Sequence, residues 1–125
     1  MNIVYIEDNA DLRSTIGALM DGEGRTVTCC ATAEEALALD AQARFDLVVS
    51  DVSLPGLSGT DMARQLLKVA PDRCIVLCSG YDLGSYPAQW GPNVHVLPKP
   101  FEIEDLEGLL DDIQTRWNAG QPPQA

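Results

Sequence analysis

The sequence predicts a doubly wound α/β fold, a parallel five-stranded sheet covered on both faces by helices. Three observations predict it. Five short apolar or β-branched runs recur along the chain, amphipathic helical segments alternate with them, and most runs stop abruptly at a polar residue. Right-handed crossovers then distribute the helices over both faces and bring the carboxyl ends of the strands to one edge. A length of 125 residues and a mass of 13.5 kDa fit one domain. With 46% hydrophobic residues, 22% charged residues and a mean hydropathy of -0.04, the chain can bury a core and fold alone.

Residues 2–8 (NIVYIED) place Ile3, Val4, Tyr5 and Ile6 before two acids, which is how a fully buried strand reads. Over residues 11–20, Leu12, Ile16, Leu19 and Met20 recur at helical spacing until Gly22 and Gly24 stop the helix. The β-branched run 25–30 is the second strand. Thr32, with Glu35 three places on, starts a helix through Ala43. Residues 45–50 form the third strand, with Asp51 at its end and the loop LPGLSG behind it. A helix over 60–70 carries Met62, Leu66, Leu67 and Val69 and stops at Pro71, returning to a fourth strand over 74–79. Gly84, Pro87, Gly91 and Pro92 leave room within 82–93 for only a short, poorly formed helix before the fifth strand, 94–97. The last helix, 102–117, has Ile103, Leu106, Leu109, Leu110 and Ile113 at helical spacing. The domain is thus expected over 1–117, with 118–125 (NAGQPPQA) a flexible tail.

Charge narrows the function. Eight Lys and Arg against 19 Asp and Glu give a net charge of -11 and a pI near 4.2, so a polyanion is repelled and nucleic-acid binding is disfavoured. No apolar run reaches the roughly eighteen residues of a membrane span, and no secretory leader pattern is present, so a cytoplasmic protein without membrane partners is expected. Cys29, Cys30, Cys74 and Cys78 lie in apolar segments as adjacent or same-strand pairs, poor geometry for disulfides, and are expected to be buried free thiols. A single histidine, His95, and no CxxC spacing argue against structural zinc.

The strand ends carry the chemistry. Glu7 and Asp8 follow the first strand, Asp51 the third, Ser79 the fourth and Lys99 the fifth. Alone, each has a bland reading as a helix cap, a turn residue or a surface charge. Together they bring three carboxylates, a hydroxyl and an ammonium to one edge. Clustered carboxylates repel one another until a hard divalent cation and a lysine neutralise them, and Mg2+ suits an oxygen-only set while leaving positions for a phosphoryl group. A carboxylate can accept that group as an acyl phosphate.

These residues resemble the receiver domains of bacterial two-component response regulators over residues 2 to about 116. The resemblance rests on Glu7-Asp8, on the segment from Asp51 through Pro55 and Gly56 to Gly59, on Ser79-Gly80, and on Lys99-Pro100-Phe101. It implies a flavodoxin-like sheet of order 2-1-3-4-5 and a cytoplasmic signalling switch rather than a metabolic enzyme. Turnover is then limited to self-phosphorylation and self-dephosphorylation. It implies that Asp51 accepts phosphate from a sensor histidine kinase or phosphotransfer protein, and that Mg2+ is held by Asp8 directly, by Glu7 through water, by Asp51 and by the backbone carbonyl of Ser53. Ser79 matches the hydroxyl residue that swings toward the phosphoryl group, Lys99 the lysine that pairs with it, and Lys99-Pro100 is expected to be cis. The switch then reads out through Ser79, Gly80, Tyr81, Val96 and Pro100 to a downstream protein. The short tail leaves either a single-domain regulator or a receiver excised from a longer chain, and the start at Met1 slightly favours the former.

One position departs from the pattern. Receivers commonly carry Tyr or Phe where Val96 stands, and valine has no large ring to rotate. Tyr81, Tyr86 and Trp90 are candidate substitutes, with covering the sheet edge as their bland role. The Glu-Asp order of the acidic pair keeps metal binding. His95 alternates to the opposite strand face from Val96 and is expected to be packed or surface-exposed, and Cys78 to pack in the core. Two other classes fall away. An aspartyl-phosphate phosphatase needs an acid where Ser53 stands, and a flavin phosphate would be repelled by Glu7-Asp8. The remaining alternative is a receiver-shaped scaffold that acts without phosphorylation.

Overall fold

Strands buried on both faces need apolar side chains in succession, and β1 (Asn2–Ile6), β3 (Leu47–Asp51) and β4 (Cys74–Ser79) supply them; every β4 residue is buried. The structure, a computed structural model, describes residues 1–22, 24–84 and 89–120. β2 (Thr26–Cys30) and β5 (Val94–Pro98) flank the central strands, and all pairs are parallel in the order β2-β1-β3-β4-β5. The expected doubly wound topology is therefore present.

Each strand's alternation feeds two cores. Val4, Ile6, Val48, Ile75 and Leu77 pack beneath α2 (Ala33–Gln42) and α3 (Gly59–Val69). Ile3, Tyr5, Leu47, Val49, Val76 and Cys78 pack beneath Met20 of α1 (Ala10–Met20) and Leu106, Leu110 and Ile113 of α4 (Ile103–Asn118). Thr32 caps α2 by accepting from the Glu35 N–H at 3.2 Å, as its spacing predicts. Glu102 stands outside α4 as its N-cap, in a reciprocal capping box with Asp105.

Several boundaries differ from the sequence reading by one or two residues, and four of them have a local reason. β3 begins at Leu47, two residues late, because the Phe45 N–H turns to the Asp40 carboxylate at 3.0 Å. Asp51 and Pro98 end their strands from inside, since Asp51 pairs in register with Cys78 and Pro98 with Ser79. α3 starts at Gly59 rather than Thr60 because Ser58 accepts from the Asp61 N–H and serves as the cap. The short helix expected within 82–93 falls partly on residues 85–88, as does Tyr86, and residues 121–125 of the expected tail likewise lie outside the described residues. Four helices are described.

One cysteine expectation is corrected. Cys30, Cys74 and Cys78 are buried free thiols, but Cys29 is exposed. β2 is an edge strand whose residues are mostly exposed, so an apolar run there does not imply burial. His95 is packed, buried within β5. Among the described residues no helix is long and apolar enough to cross a membrane.

Candidate phosphoacceptor site

Register assembles the site. Ile6 lies beside Ser50, so the next residues, Glu7 and Asp51, leave adjacent strands at the same level. Ser79 lies beside Pro98, and the Lys99 N–H donates to the Ser79 carbonyl at 2.6 Å, which holds the lysine at the same edge. Carboxylate oxygens of Glu7, Asp8 and Asp51 all come within 4.8 Å of one another, and Lys99 Nζ stands 3.0 Å from Asp51 Oδ2. Lys99-Pro100 is cis, as the resemblance implies.

The four groups differ in environment. Glu7 is buried at 3% exposure, Asp8 is exposed, and Asp51 lies between. Burial pushes the Glu7 carboxyl above its ordinary range. Its contact with Asp8 and the charge of Asp51 push the same way, against the Asn9 backbone N–H, 3.1 Å from Oε2, and Lys99. Burial alone would lower the lysine, but the hydrogen bond and charge of Asp51, with Glu7 behind it, outweigh burial and hold Lys99 above its ordinary value. The site has more negative charge than one lysine neutralises, and its donors are hard oxygens. That donor chemistry fits a hard divalent cation.

A raised carboxyl means the folded chain binds the Glu7 proton more tightly than the unfolded chain does. Stability therefore falls as pH rises from the unfolded carboxylate range near ~4.3 through the folded pKa, and the loss persists above it. Glu7→Gln is expected to raise the metal-free Tm at neutral pH by about 2–4 °C, with the advantage gone at pH 4. Thermal melts in a chelator at both pH values check it.

Ser79 is at the expected place with its bonds elsewhere. Its hydroxyl donates to the Tyr81 carbonyl at 2.6 Å and accepts from the Tyr81 N–H at 3.2 Å, so in this conformation it faces the next turn rather than Asp51. Val96, half-buried, lines a cavity of about 320 Å³ with Ser79, Tyr81, Pro98 and Lys99. Gly80 borders it too, and Pro100 is exposed. Ser53, two residues beyond Asp51, is exposed, and Val52 between them is buried.

Asn9, Arg13 and Gly59 contribute through contacts that the sequence reading does not include, although Gly59 closes the segment that carries the resemblance. Asn9 caps α1 through bonds from Asp11 N and Leu12 N while its own N–H holds Glu7. Arg13 donates from Nη1 to the Glu7 carbonyl at 2.9 Å. Gly59 lets the backbone of α3 lie against Asp51: a Cβ there would stand 2.1 Å from the Asp51 carbonyl oxygen. Asn three residues before Leu12 is a readable cap signal; the other two contacts have no local signature.

A parallel sheet of this order, with an acidic triad and a lysine at its carboxyl edge, is the arrangement of a receiver domain. The chain belongs to the response regulator receiver domain family, whose model matches residues 3–111. It is 30% identical over 124 residues to the two-component response regulator PhoP of Pseudomonas aeruginosa, covering 93% of this chain and 52% of that one. It is 34% identical over 110 residues to the transcriptional regulatory protein YkoG of Bacillus subtilis, covering 84% and 47%. The chain thus spans about half the length of these curated relatives. Among solved structures, the response regulator TrrA of Thermotoga maritima in complex with Mg2+–BeF superposes with a TM-score of 0.76 at 25% identity, covering 88% of this chain and 96% of that one.

Proposed function

We propose that this receiver domain is a phosphorylation-controlled signalling switch in which Asp51 accepts a phosphoryl group from a sensor histidine kinase or phosphotransfer protein. The observation that carries the reading is Lys99 Nζ at 3.0 Å from Asp51 Oδ2, inside the cluster with Glu7 and Asp8. A carboxylate oxygen of Asp51 attacks phosphorus, the bond from phosphorus to the donor nitrogen breaks, and its electron pair returns to the imidazole. Water later attacks phosphorus and releases inorganic phosphate, restoring the carboxylate. Lys99 balances charge on the phosphoryl oxygens, and Ser79 turns from Tyr81 to donate to one of them. Glu7, Asp8, Asp51 and the Ser53 carbonyl would hold Mg2+, which when bound neutralises charge developing on the transferred group.

The partners are proteins: a phosphodonor and a downstream target of unassigned identity. A charge of -11 disfavours direct nucleic-acid contact by this domain, and a cytoplasmic location suits a kinase partner. The domain runs to Asn118, one residue past the expected boundary because α4 includes it, and the residues after it are read as the tail. The alternative, a scaffold indifferent to phosphorylation, is motivated by Val96 and opposed by the complete acid and lysine set.

Intact mass after incubation with Mg2+ and a small acyl-phosphate donor tests this. One labile, hydroxylamine-sensitive phosphate is expected on the wild type, and none on Asp51→Ala or without metal. No adduct with any donor, together with no Mg2+ binding, would favour the scaffold.

Switching without an aromatic at Val96 can run through Tyr81. When Ser79 turns to the phosphoryl group, both of its bonds to the Tyr81 backbone are lost. Tyr81 also lines a second cavity with Arg64 and Trp90, where the guanidinium sits 5.7 Å from the indole centroid. In a Trp117→Phe background, the Trp90 fluorescence is expected to shift when Mg2+ and beryllofluoride are added. An unchanged spectrum counts against this route.

A further inference from the structure

The acidic pair is held by its backbone as well as by its strand. The Glu7 N–H donates to the Cys30 carbonyl at 3.0 Å, extending the β1–β2 ladder one residue past the strand and fixing the peptide that joins Ile6 to Glu7. The next peptide, from Glu7 to Asp8, has left the sheet. Its carbonyl accepts from Arg13 Nη1 at 2.9 Å, a part-buried bond that spans the entry into α1. The Arg13 backbone is held in turn, because its N–H donates to the carbonyl of Asn9, the N-cap of that helix. Two successive peptide planes are thus pinned, the first by β2 and the second by a guanidinium. The direction of the Asp8 side chain depends on the second.

We propose that Arg13 is a positioning residue for cation binding: its bond to the Glu7 carbonyl orients the Glu7–Asp8 peptide so that the Asp8 carboxylate converges with Glu7 and Asp51. The proposal rests on the Mg2+ reading of the site. Its signature is a sign. Were Arg13 merely a nearby positive charge, removing it would favour a second cation and tighten Mg2+ binding. As a positioning residue, its loss lets the peptide rotate and weakens binding, in the way that removing groups behind metal ligands costs about 10–100-fold in affinity.

Calorimetric titration with Mg2+ alone, on the full chain and without any phosphoryl donor, reads this out. Arg13→Met, which keeps the stem and loses the donors, is expected to bind Mg2+ about tenfold more weakly than wild type. Arg13→Gln, neutral like Met but still a donor, is expected to fall between them, and Asp8→Asn to lose binding. Equal or tighter binding by Arg13→Met overturns the proposal while leaving the Mg2+ reading intact. A wild type that does not bind Mg2+ overturns both. If urea titration finds the Met variant unfolded, the Gln variant decides alone: weaker binding than wild type supports the proposal, and equal or tighter binding overturns it.

Discussion

Gly59→Ala is expected to lower stability by about 2–4 kcal/mol and to disable the acidic site in the same step. The cause is room. Gly59 does not have a positive φ, so its backbone would accept a side chain, but a Cβ would stand 2.1 Å from the Asp51 carbonyl oxygen and 3.0 Å from Ser50 Oγ. The first obstacle is backbone of the strand that carries Asp51, and it cannot rotate aside as a side chain would. Relief requires α3 to retreat, which breaks the bond from the Gly59 N–H to the Val52 carbonyl at 2.9 Å and loosens Met62, Ala63 and Leu67 in the core. The internal control is Gly108→Ala. Gly108 sits inside α4 with nothing within 4 Å of a built Cβ, so alanine there is expected to stabilise by about 0.5–1 kcal/mol. Urea titration of both variants, with Mg2+ calorimetry on each, separates a packing cost at the site from a general intolerance of alanine.

Elements and strand ends could be read along the chain because their signals are local. A buried parallel strand is a continuous apolar run that stops near where the chain leaves the sheet, which is why the sequence alone places Glu7, Asp51, Ser79 and Lys99 at one edge. Thr32 with Glu35 marks a helix start by the same kind of short-range spacing. What could not be read depends on which distant segment arrives next door. Cys29 looks apolar in context, but only the strand order makes β2 an edge and leaves that thiol exposed. Ser79 ends β4, yet the partner of its hydroxyl is the Tyr81 backbone, a property of the turn's geometry. Gly59 and Arg13 act on backbone carbonyls, and no residue type announces which carbonyl will need a neighbour.

The same logic hides a buried ion pair, whose removal is the other large effect expected. Arg73→Met should cost about 3–5 kcal/mol, whereas Arg73→Met combined with Asp40→Leu should cost less, about 1–3 kcal/mol, because the stranded charge is gone and the remaining loss is that of the Phe45 backbone bonds. Arg73 and Asp40 are 33 residues apart in sequence and meet through two bonds, Nη1 to Oδ2 at 3.0 Å and Nη2 to Oδ1 at 2.7 Å, with side chains only 6% and 12% exposed. The Phe45 N–H donates to the same carboxylate, and Arg73 also donates to the Phe45 carbonyl at 3.3 Å. The pair therefore ties the end of α2 to the entry of β3 and β4. Deleting the arginine alone strands a carboxylate that burial already disfavours; deleting both removes the stranded charge and leaves the Phe45 N–H and carbonyl without these partners. In the wild type, burial acts to raise the Asp40 pKa, but the bonds from Arg73 and Phe45 and the charges of Arg73 and Arg44 outweigh it, and the pKa is lowered. A lowered carboxyl contributes stability that is fully present above the unfolded pKa of about 3.9 and is lost as pH falls through the lower folded value. The double variant lacks that contribution at every pH. Its stability relative to wild type should accordingly improve as urea titrations move from pH 5 to about pH 2.5, and a difference that stays constant across this range would mean that Asp40 is not held ionised by Arg73.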